Sequence, residues 1–369
     1  MLDFWRSYLL PGFIFQSVVV AGGYGTGREF VEFFLQLGPK AGLLAMVVAM
    51  VIWSLVCACT FVLAQRFGTY DYRGFFQALL GNRGWWLFEI SYVLILVLVM
   101  AVVVAAAGTI LNETFGVAYA WGVCGLIAYV AFMVYRGSRT IEWILSFWSI
   151  ALYVIYGLLF FFGFQYFGEQ INSVWNASIV GDEPWIINGV RYAGYNLALI
   201  PAVLFCLTHL KTQKEAVISG LFAGFVTIFP GILFFIIMFG EYPQIIDQTI
   251  PSLYLLGKME LVWLEVAFTI VLLGTLIETA TGMIHAFNER IASQLAQSNR
   301  EFTKLMRAVF AVTILLGSLL LAQVGLVNLI SKGYGWLTWL VIAVYIVPVL
   351  YKGIPVILHG GKKTAEKTM

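Results

Sequence analysis

Charged side chains are scarce in this sequence, where they make up 11% of 369 residues. Soluble domains carry roughly 25%. This shortage, together with 61% hydrophobic residues, excludes a water-soluble globular protein and leaves no basic surface for nucleic acid. We therefore expect an integral membrane protein whose partners are the lipid bilayer and a small-molecule substrate. No feature of the sequence indicates an oligomeric state.

Cysteine and histidine are also rare, with four and three residues respectively. The cysteines lie in apolar stretches, and Cys57 and Cys59 would point in different directions on a helix. We expect inert buried thiols, no cofactor and no metal, apart from Na+ or H+ as a coupling ion. The motifs of hydrolases, metalloproteases and P-loop ATPases are absent from the sequence. It therefore predicts neither an enzyme nor an ATP-driven pump.

Apolar runs, in contrast, are long and numerous. A helix needs about 20 predominantly apolar residues to cross the hydrocarbon core of a bilayer. Ten segments are close to this length, at approximately 9–36, 41–65, 86–111, 118–135, 143–166, 185–210, 216–239, 262–287, 305–324 and 326–351. Three amphipathic stretches between them, 70–80, 167–175 and 244–256, are typical of helices that lie at the membrane surface.

Lysine and arginine concentrate on one side of this arrangement. With the N-terminus in the cytoplasm, sixteen of the 21 basic residues fall in cytoplasmic loops or tails, and Lys40 and Lys258 fall in external loops. The remaining three, Arg28, Arg191 and Lys332, lie within spans. Cytoplasmic loops of membrane proteins carry such an excess. The pattern therefore predicts ten spans with both termini in the cytoplasm.

Ten spans divide into two halves of five. Because five is odd, the second half would enter the membrane from the opposite side, which makes an inverted repeat. The division places the first repeat at 1–166, an extracellular linker at 167–184, the second repeat at 185–352 and a cytoplasmic tail at 353–369. In this scheme spans 1 and 6 are equivalent.

Both equivalent spans contain residues that weaken a helix. Span 1 has four glycines between Gly22 and Gly27, and each costs a helix interior about 1 kcal/mol relative to alanine. Span 6 has Gly194 and Pro201, and a proline removes a helical hydrogen bond. Interruptions in matching spans are typical of a transporter binding site. The alternative is close helix packing through the spacing Gly23-x-x-x-Gly27.

Two stretches carry a resemblance to a known family. "GGYGTGREFVEFF" in span 1 and "RYAGYNLALIPAVLF" in span 6 resemble the YkvI-type family of bacterial membrane proteins, permeases of the amino acid–polyamine–organocation superfamily. The resemblance implies the LeuT fold, an all-α protein of ten transmembrane helices in a 5+5 inverted repeat with broken helices 1 and 6. It also implies the bacterial cytoplasmic (inner) membrane. Because the family has no assigned substrate, the resemblance implies the mechanism of transport better than the identity of the transported solute.

The predicted substrate site lies at the two interruptions. A half-helix that begins near Gly27 would present free amides and the positive end of its dipole, which suit a carboxylate. The resemblance implies an amino acid carboxylate at this place. The predicted substrate-binding residues are Gly23, Tyr24, Gly25, Thr26, Gly27, Arg28, Tyr192, Gly194, Tyr195 and Asn196.

Arg28 has two interpretations. A charge within a span is costly and normally has a partner, and Glu32 lies on the same helical face. Sodium-coupled proteins of this fold often have a cation ligand at the matching position, so Arg28 would replace that ion or bind an anionic substrate. The alternative is a structural pair with Glu32. Four residues are predicted to take part in gating, namely Glu29, Glu32, Arg191 and Lys332.

Span 8 contains the predicted coupling site. The resemblance implies a second cation site at Thr275, Glu278 and Thr279, completed by backbone oxygens near Ala21 and Tyr24. The sequence departs from the family pattern in having Glu278 where a hydroxyl is usual. Because burial favours the protonated form of a carboxyl, Glu278 would bind either Na+ or H+. The alternative is a hydrogen bond or ion pair that joins helices.

These observations predict a secondary active transporter. It would move a small zwitterionic or anionic solute, an amino acid in the first place, by alternating access and with H+ or Na+ coupling. The alternative is a ligand-sensing membrane receptor subunit that has a permease-like fold and does not transport. A channel is disfavoured because no span shows repeated charges facing a pore.

Overall fold

A computed structural model describes residues 4–20, 22–296, 298–330 and 334–359. Two residues of the predicted site, Ala21 and Lys332, lie outside these ranges.

The regular structure within the described ranges is helical. The helices are α1 (Leu10–Val19), α2 (Gly22–Thr26), α3 (Arg28–Phe33), α4 (Pro39–Phe67), α5 (Tyr72–Phe115), α6 (Tyr119–Arg136), α7 (Ser138–Ala177), α8 (Trp185–Leu197), α9 (Pro201–Leu204), α10 (Gln213–Met238), α11 (Pro251–Met259), α12 (Val262–Ala296), α13 (Lys304–Ala322), α14 (Leu326–Asn328), α15 (Tyr334–Val341) and α16 (Val347–His359). Shorter turns have 3-10 geometry at Leu35–Leu37, Phe205–His209, Phe239–Glu241 and Gln244–Asp247, and π-helical geometry at Trp5–Leu9 and Ile342–Ile346.

The long helices correspond to nine of the ten predicted spans, although the last one runs from Leu337 to His359 and not over 326–351 as predicted. Within the described residues, eight helices are long and apolar enough to cross a membrane, and α8 with Pro201–His209 makes a ninth if this bent pair is one span. These correspond to spans 2 to 10. Span 1 is divided among α1, α2 and α3, each too short to cross alone. A count of ten therefore depends on this divided segment.

Two of the predicted surface stretches differ in how they join the spans. Stretch 70–80 forms the first part of α5 and ends at a corner, because Gly81 has a φ of 80° inside the helix. Stretch 167–175 is instead the continuation of α7, which runs on to Ala177. Only one glycine, Gly168, interrupts that sequence, and a single glycine does not end a helix.

The divided first span lies at the centre of the molecule. α1 packs against α7, α10 and α12, while α2 contacts α5 and α12, and α3 contacts α8. Around them, α10 packs along α4, where Gly220 and Gly224 touch the backbone of Ala58 and Ser54. Small residues let membrane helices approach closely. The packing thus surrounds the interruption of span 1 with helices from both predicted halves.

Candidate functional site

The interruption of the first span consists of two corners with one helical turn between them. α1 ends at Val19, and Val20 has a ψ of 79°, outside the helical range. α2 follows as a single turn, and Gly27 has a φ of 81°, a left-handed conformation that favours glycine. The predicted free amide of Gly27 donates instead to the Tyr24 carbonyl at 3.0 Å, because α2 closes as a helical turn.

Thr26 is buried and uses its hydroxyl within the same turn. Its Oγ1 donates to the carbonyl oxygens of Gly22 at 2.5 Å and Gly23 at 3.2 Å. In this conformation the hydroxyl therefore stabilises α2.

Two glycines of α2 allow side chains to approach the backbone. A Cβ on Gly23 would overlap the carboxyl group of Glu29, and a Cβ on Gly25 would overlap Leu272 of α12. Thr275 Oγ1 lies 3.7 Å from the same Cβ position of Gly25. The two glycines are thus in contact with an acid on one side and with α12 on the other.

The second interruption follows α8. Residues 198–200 form a tight turn in which each amide donates to the carbonyl three residues earlier, and the chain bends by 54°. Pro201, which has no N–H to lose, begins α9. Asn196 Nδ2 donates to the Tyr192 carbonyl at 3.0 Å, and Gly194 packs against α15. In this conformation Asn196 stabilises α8 and Gly194 allows α8 to pack against α15, although both were predicted to contact substrate.

Glu29 and four tyrosines come together between the two interruptions. The hydroxyls of Tyr192 and Tyr195 lie next to the Glu29 carboxyl, and Tyr156 and Tyr334 lie within electrostatic range of it. Each of the five residues is at most 2% exposed. The rings of Tyr195 and Tyr334 stack at 4.2 Å. We call these five residues the acid–tyrosine cluster.

Several polar atoms of the acid–tyrosine cluster have no partner. Within the described structure, Glu29 Oε2 and the hydroxyls of Tyr156, Tyr192 and Tyr195 make no hydrogen bond, although Tyr192 and Tyr195 lie close to the carboxyl. Buried polar groups are usually paired, and exceptions call for an explanation. An absent ligand is one such explanation. Tyr24, which is also near Glu29, instead donates to the Thr227 carbonyl at 2.9 Å.

Arg28 is engaged on the other side of α3. It forms an ion pair with Glu32, and its Nη1 donates to the carbonyls of Ile246 at 2.8 Å and Gln248 at 3.0 Å. Arg191 lies over the ring of Phe33, with 5.9 Å from guanidinium carbon to ring centre. In this conformation the structure therefore brings Arg28, and not Arg191, to Glu32.

The predicted coupling residues divide between two places on the first span. Thr279 Oγ1 donates to the carbonyls of Ser17 at 3.2 Å and Val18 at 3.0 Å, at the end of α1. Glu278 is 1% exposed and lies near Ser17, and its two oxygens have no hydrogen-bond partner in the described structure. Thr275 lies beside α2 and donates to the Leu272 carbonyl at 2.7 Å.

A stripe on α12 continues from Glu278 towards the predicted cytoplasmic side. Glu278, Gly282, His285 and Glu289 follow one another at intervals of four, three and four residues, which is the spacing of one helical face. His285 is 1% exposed, and its ring nitrogens have no hydrogen-bond partner among the described residues. Its Nδ1 lies 3.8 Å from Glu289 Oε1. The spacing of the three histidines excludes a metal site but does not indicate this stripe, because it carries no information on which helical face is buried.

The stripe ends at an open cavity. Glu289 pairs with Arg307 at 2.5 Å and lines a cavity of about 500 Å³ together with Tyr70, Asp71 and Phe205. The ring of Phe205 also packs edge-on against His285, with centres 5.4 Å apart. Glu278, His285 and Glu289 therefore lie on one face of α12, and the last of them lines this cavity.

The centre itself is closed in this conformation. The space lined by Tyr156, Gly25, Leu272 and Thr275 among others is too narrow to admit a water molecule. On the side predicted to face the exterior, aromatic rings pack onto Tyr192, namely those of Phe30, Phe33, Phe34 and Trp53. A solute at the centre would require the helices to move.

No family model matches the chain. The chain is similar to an uncharacterized membrane protein, YkvI of Bacillus subtilis (strain 168), with 22% identity over 330 residues that cover 87% of this chain and 89% of the relative. This similarity agrees with the resemblance in spans 1 and 6 and with a membrane protein.

Solved transporter structures share the fold. MhsT in complex with L-phenylalanine has a TM-score of 0.65 and 16% identity, covering 94% of this chain and 88% of MhsT. A Na+-coupled sialic acid symporter has a TM-score of 0.68 and 11% identity, covering 94% and 78%. A manganese transporter of Eremococcus coleocola has a TM-score of 0.62 and 14% identity, with the same coverage. At such identities the likeness shows the fold alone, and it confirms the predicted all-α LeuT-like class with interrupted helices 1 and 6.

Proposed function

We propose that the chain is a secondary active transporter that moves a small solute, an amino acid in the first place, by alternating access and with coupling to a cation. The observation that carries the proposal is the meeting of two interrupted helices around buried polar atoms that have no partner in the described structure. Irregular backbone at membrane depth is tolerated where it is buried in protein or lines a cavity, and in transporters it forms the substrate site.

Glu278 is the proposed coupling residue, and the proton is the proposed ion. An unpaired carboxylate within a membrane is costly, so Glu278 is stable when it holds a proton or a cation. The Thr279 hydroxyl already donates to the carbonyls of Ser17 and Val18. Because these oxygens are engaged in hydrogen bonds, they favour a proton over Na+ as the coupling ion. His285 and Glu289 continue from Glu278 to the open cavity and give a proton a route.

Glu278→Gln tests the coupling role. We expect the variant to fold and to bind its solute, because glutamine has nearly the same shape, but to lose uptake against a concentration gradient when a pH gradient is the only driving force. Binding would be found by thermal shift of the purified protein against amino acids, since a bound ligand stabilises the folded state. Uptake would then be measured in proteoliposomes, with imposed H+ or Na+ gradients.

Glu265→Gln, on the first turn of the same helix, is the matched control and should transport normally. Gradient-driven accumulation in Glu278→Gln at the wild-type level would exclude the coupling role. Dependence of the wild type on Na+ and not on pH would assign the site to sodium. Binding by the wild type with no flux under any gradient would favour a ligand-sensing receptor.

A further inference from the structure

Glu29 is a buried acid that faces no positively charged side chain within the described residues. The ion pairs there involve other acids, and the groups close to its carboxyl are tyrosine hydroxyls. The adjacent Arg28 is directed to Glu32 and to two loop carbonyls. Since a buried carboxylate is stable only with a compensating positive charge, the absent partner of Glu29 is a proton or a cationic group.

The tyrosines around Glu29 suit a cationic group on nitrogen. Ammonium groups bind to the faces of aromatic rings. Tyr192 and Tyr195 lie next to the carboxyl, and the ring of Tyr334 stacks on that of Tyr195. The unpaired hydroxyls of Tyr192 and Tyr195 add hydrogen-bonding oxygens. An acid with several aromatic rings therefore offers both a charge-assisted hydrogen bond and cation–π contacts.

The position of the carboxyl opposes an anion. Glu29 packs directly on Gly23, where even one methyl group on the backbone would overlap it. A carboxylate that approached this part of α2 would meet a like charge in a region of low dielectric. Anion binding at the interruption, as first predicted, would therefore require Glu29 to be protonated or to move away.

We propose that the acid–tyrosine cluster binds a positively charged nitrogen of the cargo, so that the solute is an organic amine or an amino acid held by its ammonium group, and not a simple anion. This inference rests on the proposed function and names the chemical class of its substrate.

Two matched triads of small molecules test the inference. Alanine, ethylamine and propionate share a short carbon skeleton and differ in which charged group they carry; phenylalanine, phenethylamine and 3-phenylpropionate do the same at a larger size. We expect at least one amine-bearing member to raise the melting temperature of the purified wild type, and neither carboxylate without nitrogen to do so. The Glu29→Gln variant should weaken that binding by about tenfold or more.

Two variants distinguish a loss of binding from a loss of folding. Tyr195→Phe keeps the ring and removes a hydroxyl that lies beside the Glu29 carboxyl, so we expect it to fold and to bind the amine more weakly. Glu169→Gln, at an exposed acid on α7, should bind as the wild type does.

Lys332, two positions before Tyr334 in the sequence, is a competing partner for Glu29. If the two form an internal ion pair, Glu29→Gln and Lys332→Gln should each lower the melting temperature without ligand, and the double variant should regain part of the loss. That result would overturn the inference. A Lys332→Gln variant that binds the amine as well as the wild type would support it.

Binding of propionate or 3-phenylpropionate, equal amine affinity in Glu29→Gln, or no stabilisation by any amine would also contradict the inference. The proposed function fails separately. If an amine binds through Glu29 but no flux is measured in proteoliposomes, the proposed transport function is wrong and the proposed role of the acid–tyrosine cluster is supported. If a solute is transported but its affinity does not depend on Glu29, the transport function is supported and the role of the cluster is wrong.

Discussion

The glycines of α2 allow side chains from other parts of the chain to approach the backbone closely. Gly23 admits the Glu29 carboxyl, and Gly25 admits the side chain of Leu272 from α12. Each contact fills space that a solute at the interruption would need. Movement of Glu29 or Leu272 away from its glycine is therefore part of any opening of the site, and the absence of a Cβ leaves backbone that a solute can approach closely.

Gly25 provides a prediction at this scale. We expect Gly25→Ala to lower the melting temperature by overpacking against Leu272, with a cost of about 1–3 kcal/mol, and Gly25→Leu to abolish solute binding while the protein still inserts. Thermal unfolding and ligand-induced shifts would measure the two effects. In a Leu272→Ala background, Gly25→Ala should cost less than it does in the wild type, because the overlapping atoms are gone. Unchanged affinity in Gly25→Leu would show that the solute does not approach this residue.

The sequence could not predict the direction in which individual side chains point. The Arg28–Glu32 pair follows from helical spacing, and it was one of the two predicted alternatives. The further bonds of Arg28 to Ile246 and Gln248 come from a loop far along the chain. In the same way, α7, α8 and α15 supply the tyrosines of the acid–tyrosine cluster, and no local pattern in span 1 indicates them. Glu29 therefore remained a predicted gating residue on the sequence alone.

At the scale of elements, glycine and proline content predicted both interruptions but not their exact form. The corner at Val20 has no glycine of its own. There the carbonyls of Ser17 and Val18 accept hydrogen bonds from Thr279 of α12, in place of amides from a further helical turn. A contact between distant helices thus helps to end α1, and periodicity within the first span cannot reveal it.

α12 provides a prediction for a whole element, because its polar stripe connects the centre with the open cavity. We expect His285→Gln to slow proton-driven uptake several-fold and to leave solute binding unchanged, since glutamine keeps a polar side chain but cannot carry a proton as imidazole does. Initial rates in proteoliposomes under an imposed pH gradient would measure this. His359→Gln, at an exposed histidine near the end of α16, is the control. Unaltered rates in His285→Gln would place the proton route elsewhere.

At the scale of the whole molecule, two of the open cavities in the described structure lie on opposite sides of the closed centre. One of about 430 Å³ is lined by Gln36, Pro39, Ser178 and Glu183, and the other, of about 500 Å³, is the cavity that Glu289 lines. Charge bias predicts that the first faces the exterior and the second the cytoplasm. A closed state could not be predicted from sequence, because the conformations of a transporter differ by only a few kcal/mol.

The proposed orientation can be tested with cysteines. Cys57, Cys59 and Cys206 are buried and Cys124 is exposed on α6, so a Cys124→Ser background should react little with a membrane-impermeant maleimide. In that background we expect Ile179→Cys, at a residue 82% exposed beside the first cavity, to be labelled on intact cells. Ser293→Cys, which lines the second cavity, should be labelled only after the membrane is opened. The opposite pattern would place both termini outside, and the cavity lined by Glu289 would then face the exterior.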